Sequence, residues 1–337
     1  MHVAILTHGQ FPDRAKTALG VMRYGPHTVE ALIDSTLAGD RVSDHVQSVP
    51  DAPIVDSMAE VDAVDALIIG IAPIGGGFDP QWRPDVSNAL RRGIDIISGL
   101  HTFLSEDPAF ASLAAAHDAT IHDVRKPPSD LSVSQGIADT VDATVLLTVG
   151  TDASVGKMTT TWELVESLNA AGFDAAAIPT GQTGIMVEGW GYPIDAVVAD
   201  FMAGAVESLL LERGDDYDYL VVEGQGSIIH PAYSGLTCGI LHGAIPDGVL
   251  LCHDATREQI RGYEQIDIPP LTQVRDMYET LAAPICDAPV LGASVNTNGI
   301  PSTADAREHL TAISNQLSLP ATDVIRFGTD PLLEAMQ

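Results

Sequence analysis

The stretch ATVLLTVGTDASVGKMTTTWEL, residues 143–164, constrains the fold more than any other part of the chain. An apolar, β-branched run meets a loop of small residues, then Gly156 and Lys157, then a helix-forming run. This strand, loop and helix context is what a phosphate loop requires. Backbone N–H groups of such a loop and of the following helix N-terminus converge on one concavity that favours phosphate oxygens, and Lys157 adds a point charge. The fold class this predicts is α/β.

The loop departs from the usual GxxxxGK[ST] pattern in two ways. Gly150 and Gly156 stand one residue further apart. The position after Lys157, where a hydroxyl would ligate magnesium, holds Met158, and a thioether is a poor ligand for a hard cation. Thr159 follows about 100° further round the helix. The departures weaken nucleotide hydrolysis, which needs magnesium across the β and γ oxygens. They leave intact the holding of a pyrophosphate without chemistry at phosphorus, as a coenzyme A ester would require.

A length of 337 residues suits two domains. In the first, apolar runs at 3–7, 29–34, 66–70, 94–98 and 119–123 read as strands, with helices at 13–23, 84–92 and 109–117 between them. That alternation predicts a mostly parallel sheet covered on both faces. The loop after the first strand, THGQFPDRAKT, lacks GxGxxG and gives no support to dinucleotide binding. Gly75, Gly76 and Gly77 read either as a carboxyl-edge loop able to approach a ligand or as a simple turn. Residues 126–142, KPPSDLSVSQGIADTVD, read as a linker, placing the domains at 1–125 and 143–337. Strands of the second domain are expected at 143–149, 175–178, 219–223, 249–253, 290–294 and 323–327.

Charge narrows the function classes. The chain carries 46 acidic against 16 basic residues, a net charge of −30, which excludes a generic binder of phosphate backbones, so nucleic acid is not an expected partner. Acidic residues spread along the whole chain fit a salt-adapted surface, which stays soluble when the Debye length shrinks to ~3 Å near 1 M salt. Only three lysines remain, Lys16, Lys126 and Lys157, so each is a candidate for a specific role. No apolar run is long enough to span a membrane, and MHVAILTHG reads as a first strand. Cys238, Cys252 and Cys286 suit neither a zinc knuckle nor a disulfide framework, so no metal site is expected and a reducing cytoplasm is the simplest home. Small-molecule substrates are the expected partners, with a homo-oligomer plausible on general grounds alone.

Three further segments carry candidate chemistry. VEGQGSIIHPAYSG places Glu223, Gln225, Ser227 and His230 at a carboxyl-terminal strand edge, where open α/β sheets bind ligands. Glu223 and His230 are both base candidates, Glu223 also a candidate to orient a metal-bound water; a buried glycine turn is the structural alternative. PTGQTGIMVEGWGYPIDAVVADF supplies Gln182, Thr183, Asp195 and Asp200, either to read a ligand or as a long solvated loop. HDATREQIRGY offers His253, Arg257 and Arg261; the two arginines, four apart, would share a helical face and form either an anion clamp or surface ion pairs. In the first domain Arg23, Tyr24, Arg125, Lys126, His8 and His101 fall near predicted strand edges or helix starts.

GTDASVGKM resembles the phosphate loop of dethiobiotin synthetase, and VEGQGS is similar to its second-strand motif, a likeness confined to the second half. A wider resemblance joins AKTALGVMRY, SGLHTFLSEDP, DVRKPP, GTDASVGKMTT, PTGQTGIM and VEGQGSIIHPAYSG, in that order, to the formerly uncharacterised P-loop family that includes D-glutamate N-acetyltransferase. The resemblance implies an N-terminal Rossmann-like domain, a C-terminal P-loop NTPase-like domain, and transfer of an acetyl group from acetyl-CoA to the amine of D-glutamate. It further implies that Thr151, Asp152, Ala153, Ser154, Val155, Gly156, Lys157, Met158, Thr159 and Thr160 grip coenzyme A phosphates. Arg125, Lys126 or Arg257 would pair with substrate carboxylates, with Gln182 and Gln225 as further substrate contacts and Glu223 or His230 as base. Two alternatives stand beside it. One is an ATP- and magnesium-dependent ligase or kinase like dethiobiotin synthetase, acting on a small carboxylate; the other is a nucleotide-binding regulatory protein.

Overall fold

The apolar runs of the first half become strands buried on both faces, as a parallel sheet between helix layers requires. In the computed structural model, which describes residues 1–71 and 76–336, the chain begins β1 (His2–Leu6), α1 (Lys16–Tyr24), β2 (Thr28–Ile33), β3 (Ile54–Val55) and β4 (Ala66–Ile69). It continues α2 (Arg83–Arg91), β5 (Asp95–Ser98), α3 (Pro108–His117) and β6 (Ile121–Asp123). All strands pair in parallel in the order β3-β2-β1-β4-β5-β6, the order of a Rossmann fold. Val3, Ala4, Ile5 and Leu6 and, beside them, Leu67, Ile68 and Ile69 are fully buried. α3 shows how sequence sets a helix start: Asp107 accepts from Ala109 N and Phe110 N, and Pro108 takes the first position, where no N–H is needed.

Strand order reverses between β1 and β4, where such sheets open a ligand crevice. Here Ala18 N donates to Gly70 O at 2.8 Å, so α1 packs directly against the strand ends. A Cβ on Gly70 would lie 2.4 Å from Ile5 and 2.9 Å from Ala18. Asp34, just beyond β2, binds its own neighbourhood through Gly9 N (2.9 Å), Thr36 N (3.0 Å) and Thr36 Oγ1 (2.7 Å). Of the glycine run, Gly75 lies outside the described residues.

The second half opens with β7 (Thr144–Gly150), α4 (Lys157–Ala170), β8 (Ala175–Ile178) and α5 (Gln182–Glu188). It proceeds through α6 (Met202–Arg213), β9 (Tyr219–Val222), α7 (Ser234–Ala244), β10 (Gly248–Asp254) and the antiparallel pair β11 (Gln259–Ile260) and β12 (Tyr263–Asp267). Last come α8 (Leu271–Ala282), β13 (Val290–Asn296), α9 (Thr303–Leu317), β14 (Ala321–Thr322) and α10 (Asp330–Met336). A second parallel sheet runs β14-β13-β10-β7-β9-β8. Its order reverses between β7 and β10, at the end of the phosphate-loop strand. No described helix is long and apolar enough to cross a membrane.

The expected strand at 323–327 is a turn; pairing stops at Thr322. The Asp323 carboxylate accepts from Thr297 N, Thr297 Oγ1, Ile325 N and Arg326 N, and these bonds curl the chain away from the sheet. The chain divides into Met1–Pro127 with Gln182–Ala196 and Pro128–Gly181 with Val197–Gln337. Residues 182–196, expected with the second domain, thus belong with the first. Met186 joins its core, and Thr183 Oγ1 lies 3.1 Å from Thr17 Oγ1. The segment 128–142, expected as linker, belongs to the second unit. Glu207 of α6 gathers Ser134 Oγ, Gln135 N and Ile137 N at 2.7–2.9 Å. Burial alone would raise that carboxyl, but these bonds outweigh it and hold its pKa below the usual range.

Candidate phosphate-loop site

β7 delivers the loop 151–156 to the carboxyl edge of the sheet between β9 and β10. Ser154 (φ 55°) and Gly156 (φ 108°) are left-handed, and Gly156 caps α4 without any side-chain hydrogen bond, leaving the first-turn amides to another acceptor. Lys157 opens the helix with a buried side chain whose Nζ donates to Asp152 O at 2.8 Å. The ammonium folds over Gly150, where a Cβ would stand 2.9 Å from Nζ. Met158 and Thr160 turn inward; Thr160 Oγ1 meets Ser294 Oγ at 2.7 Å. Val155 is buried as well, whereas Ser154 is exposed and Ala153 and Thr159 are half-buried. The loop thus offers backbone N–H groups, Lys157 and the exposed Ser154 to a ligand placed there.

A network built on Asp152 braces the loop. The carboxylate is fully buried and accepts from Ala153 N (2.6 Å), Arg257 Nη1 (3.0 Å) and Arg261 N (2.9 Å). Arg257 also donates to Ala153 O at 2.6 Å and faces Asp254 at 3.4 Å. The helical face expected for Arg257 and Arg261 does not form. A turn leads into β11, and Gly262 (φ 82°) closes the tight β11–β12 hairpin. Arg257 thus clamps the loop's own carboxylate. Thr151 Oγ1 lies 3.0 Å from His253 Nδ1; burial lowers the His253 pKa to about 4, so the ring is neutral at pH 7.

The second strand edge carries the base candidates. Glu223 follows β9, is buried, and accepts on Oε2 from Gly181 N (3.2 Å) and Thr180 N (3.4 Å). Gln225 Nε2 donates to Thr180 Oγ1 at 3.2 Å. Gly224 lies against β7: its N–H donates to Thr148 Oγ1 at 3.0 Å, and a Cβ there would stand 3.4 Å from Lys157 Cδ. His230 is buried, with Tyr233 (4.5 Å between centroids) and Tyr263 (5.3 Å) beside its ring. Its Nδ1 accepts from Ala232 N at 3.1 Å, leaving Nε2 3.8 Å from Asp152 Oδ1. Burial lowers its pKa; Asp152 pulls the other way and Lys157 adds to the lowering.

Within the first unit, Arg125 is buried and fully engaged: Nε donates to Gly99 O at 2.6 Å, Nη1 to Asp195 and Nη2 to Gln182 Oε1. His101 Nε2 stands 3.8 Å from Asp195. Lys126 points outward, 3.4 Å from Glu106 and over the Phe103 ring. The PTGQTGIM segment is therefore not a solvated loop but enters the buried helix α5. Sequence reasoning missed Thr180, whose hydroxyl donates to Glu223 O, and Tyr278, whose hydroxyl donates to Gly150 O at 2.8 Å. The strand-end position of Thr180 in PTGQTG was a usable signal; for Tyr278 there was none beyond its place in an amphipathic helix.

A Gly-Lys loop between a central parallel strand and a helix, preceded by a six-stranded Rossmann-like sheet, defines a two-part protein of the P-loop α/β class. Residues 132–333 match a P-loop domain described as a domain of unknown function, DUF1611, and residues 35–127 match its Rossmann-like N-terminal companion. The chain belongs to the DUF1611 family. A family member from Anabaena variabilis, known as a crystal structure, is 37% identical, with a TM-score of 0.94 over 99% of this chain and 98% of that one. A relative from Tritonibacter scottomollicae named D-glutamate N-acetyltransferase is 36% identical, covering 98% of this chain and 97% of the relative. One of the same name from a Pseudoalteromonas species is 35% identical, covering 79% of this chain and 80% of that protein.

Proposed function

We propose that this protein is an N-acetyltransferase that moves an acetyl group from acetyl-CoA to the amine of D-glutamate, its phosphate loop holding the coenzyme A phosphates. The observation that carries the reading is the uncapped N-terminus of α4 behind left-handed Gly156, with Lys157 at the first helical position. These are donors suited to phosphate, and α4 has no side-chain acceptor of its own there. Identity of 36% across nearly the full length of a relative named for this activity supports the choice of reaction.

When bound, acetyl-CoA supplies an acetyl group already activated as a thioester, so amine attack forms the C–N bond and releases the thiol. The acceptor ammonium must first lose a proton. Neutral His230 is poorly suited to take it, because its Nδ1 lone pair already accepts from Ala232 N and Nε2 carries the proton. Glu223 is therefore the base, its carboxylate oriented by the amides of Thr180 and Gly181. Arg257 spends Nη1 on the loop, through Asp152 Oδ2 and Ala153 O, and turns Nη2 towards Asp254.

The test is thiol release from acetyl-CoA with D-glutamate, L-glutamate or no acceptor, without ATP or magnesium, followed by mass analysis of the product. Release that requires D-glutamate and yields N-acetylglutamate is the expected result. ADP formation from magnesium ATP, with no acceptor-dependent thiol, would replace this reading with the ligase or kinase.

A further inference from the structure

Tyr278 joins the two halves of the site described above. It stands on α8, more than fifty residues from Glu223 and more than a hundred from the phosphate loop, and its side chain is fully buried. Its hydroxyl donates to Gly150 O at 2.8 Å and accepts from Ile228 N at 3.1 Å. Gly150 is the last residue of β7, so its carbonyl fixes the peptide plane from which the phosphate loop departs. Ile228 belongs to the loop that leaves β9 through Glu223 and reaches His230. One atom therefore bridges the first peptide of the phosphate loop and the backbone of the base loop.

The bridge works only in one protonation state. Burial pushes the Tyr278 pKa up to about 12, so the phenol keeps its proton and the donor to Gly150 O persists at any working pH. Tyr278 lies on the buried face of α8 with Leu271, Val274 and Ala282. Gly224 N to Thr148 Oγ1 also ties β7 to the start of that loop.

We infer that Tyr278 is a positioning residue, whose hydroxyl sets the spacing between the phosphate loop and the loop bearing Glu223 and His230. The inference rests on the acetyltransferase reading for its kinetic consequence and on geometry alone for its structural one. Misplacement by about 1 Å of groups held for reaction can cost on the order of 100-fold in rate. Loss of the bridge therefore falls on turnover more than on donor binding.

The experiment compares wild type, Tyr278→Phe and Val274→Ala, the last removing packing from the same helix face without touching the bridge. For Tyr278→Phe we expect kcat to fall by about 10- to 100-fold with the KM for acetyl-CoA changed less than about threefold. Val274→Ala should keep wild-type kcat per folded molecule even at a comparably lowered Tm. Amide hydrogen exchange is read on the same proteins, and Tyr278→Phe should lose protection at Ile228 and its neighbours. Equal loss of kcat in Val274→Ala and Tyr278→Phe, or unchanged protection at Ile228, would overturn the inference. Should wild type fail to acetylate D-glutamate, the functional reading falls while exchange at Ile228 still decides whether the bridge exists.

Discussion

Arg257 donates to the fully buried carboxylate of Asp152 at 3.0 Å, and the same nitrogen reaches Ala153 O at 2.6 Å, so one guanidinium holds two consecutive residues of the phosphate loop. Removing the cation beside buried Asp152 leaves its charge with only the amides of Ala153 and Arg261, at a cost towards the low end of the about 3–5 kcal/mol seen when a buried pair is broken. Arg257→Gln should therefore lower the unfolding free energy of the second unit by roughly 3 kcal/mol in denaturant titration. It should also raise the KM for acetyl-CoA, because the loop loses its brace. A variant as stable as wild type would place the Asp152 charge in contact with water or another partner.

Histidine burial gives a pH dependence of known sign. The His253 pKa falls from 6.5 to about 4 on folding, so between these values the unfolded chain binds a proton that the native protein does not. Stability contributed by the neutral ring is full above pH 6.5 and is lost as the pH falls towards 4, by about 3 kcal/mol in total. His230, also lowered by burial, adds to the loss in the same direction. Denaturant titrations across this range should show a shallower slope for His253→Gln than for wild type. Parallel slopes would count against a neutral, buried His253.

Two glycines of the second unit should respond oppositely to alanine. A Cβ on Gly224 would lie 1.6 Å from Thr148 O, a backbone atom that cannot yield without parting β7 from the base loop. Gly235, in α7, has open space where its Cβ would be. Gly224→Ala should give little soluble, active protein, while Gly235→Ala should keep activity and gain about 0.5–1 kcal/mol from helix propensity. Thermal melts and specific activities of the purified variants decide this.

The phosphate loop was legible because its signal is local: strand, glycine, lysine and helix lie within about twenty residues, and each contributes its own backbone chemistry. So were most strands, since a sheet buried on both faces writes itself as unbroken apolar runs such as Val3–Leu6. Residues 323–327 misled because DVIRF has a strand's composition, while the deciding bonds run from Asp323 to Thr297. Arg257 misled for a related reason: spacing of four suggests a helix face, but Gly262 and the approach of Asp152 from a hundred residues away make a hairpin. The placement of 182–196 depends on Met186 and Thr183 finding partners in the first unit, which no local pattern encodes.

The charge of −30 should make stability depend on salt. Screening of like charges, with a Debye length falling from about 10 Å at 0.1 M to 3 Å at 1 M, should raise Tm as KCl increases over that range. A Tm that is flat or falls with KCl would remove the case for a salt-adapted surface.

Whether the loop around Lys157 grips the phosphates of the acetyl donor is read by comparing acetyl-CoA with acetyl-pantetheine, which has none. Thiol release dependent on D-glutamate is measured with both donors for wild type and Lys157→Ala. The substitution should raise the KM for acetyl-CoA by about 10- to 100-fold, the worth of one or two charge-assisted bonds, and leave acetyl-pantetheine unchanged. Equal losses with the two donors, or no loss with either, would contradict a phosphate grip by this loop.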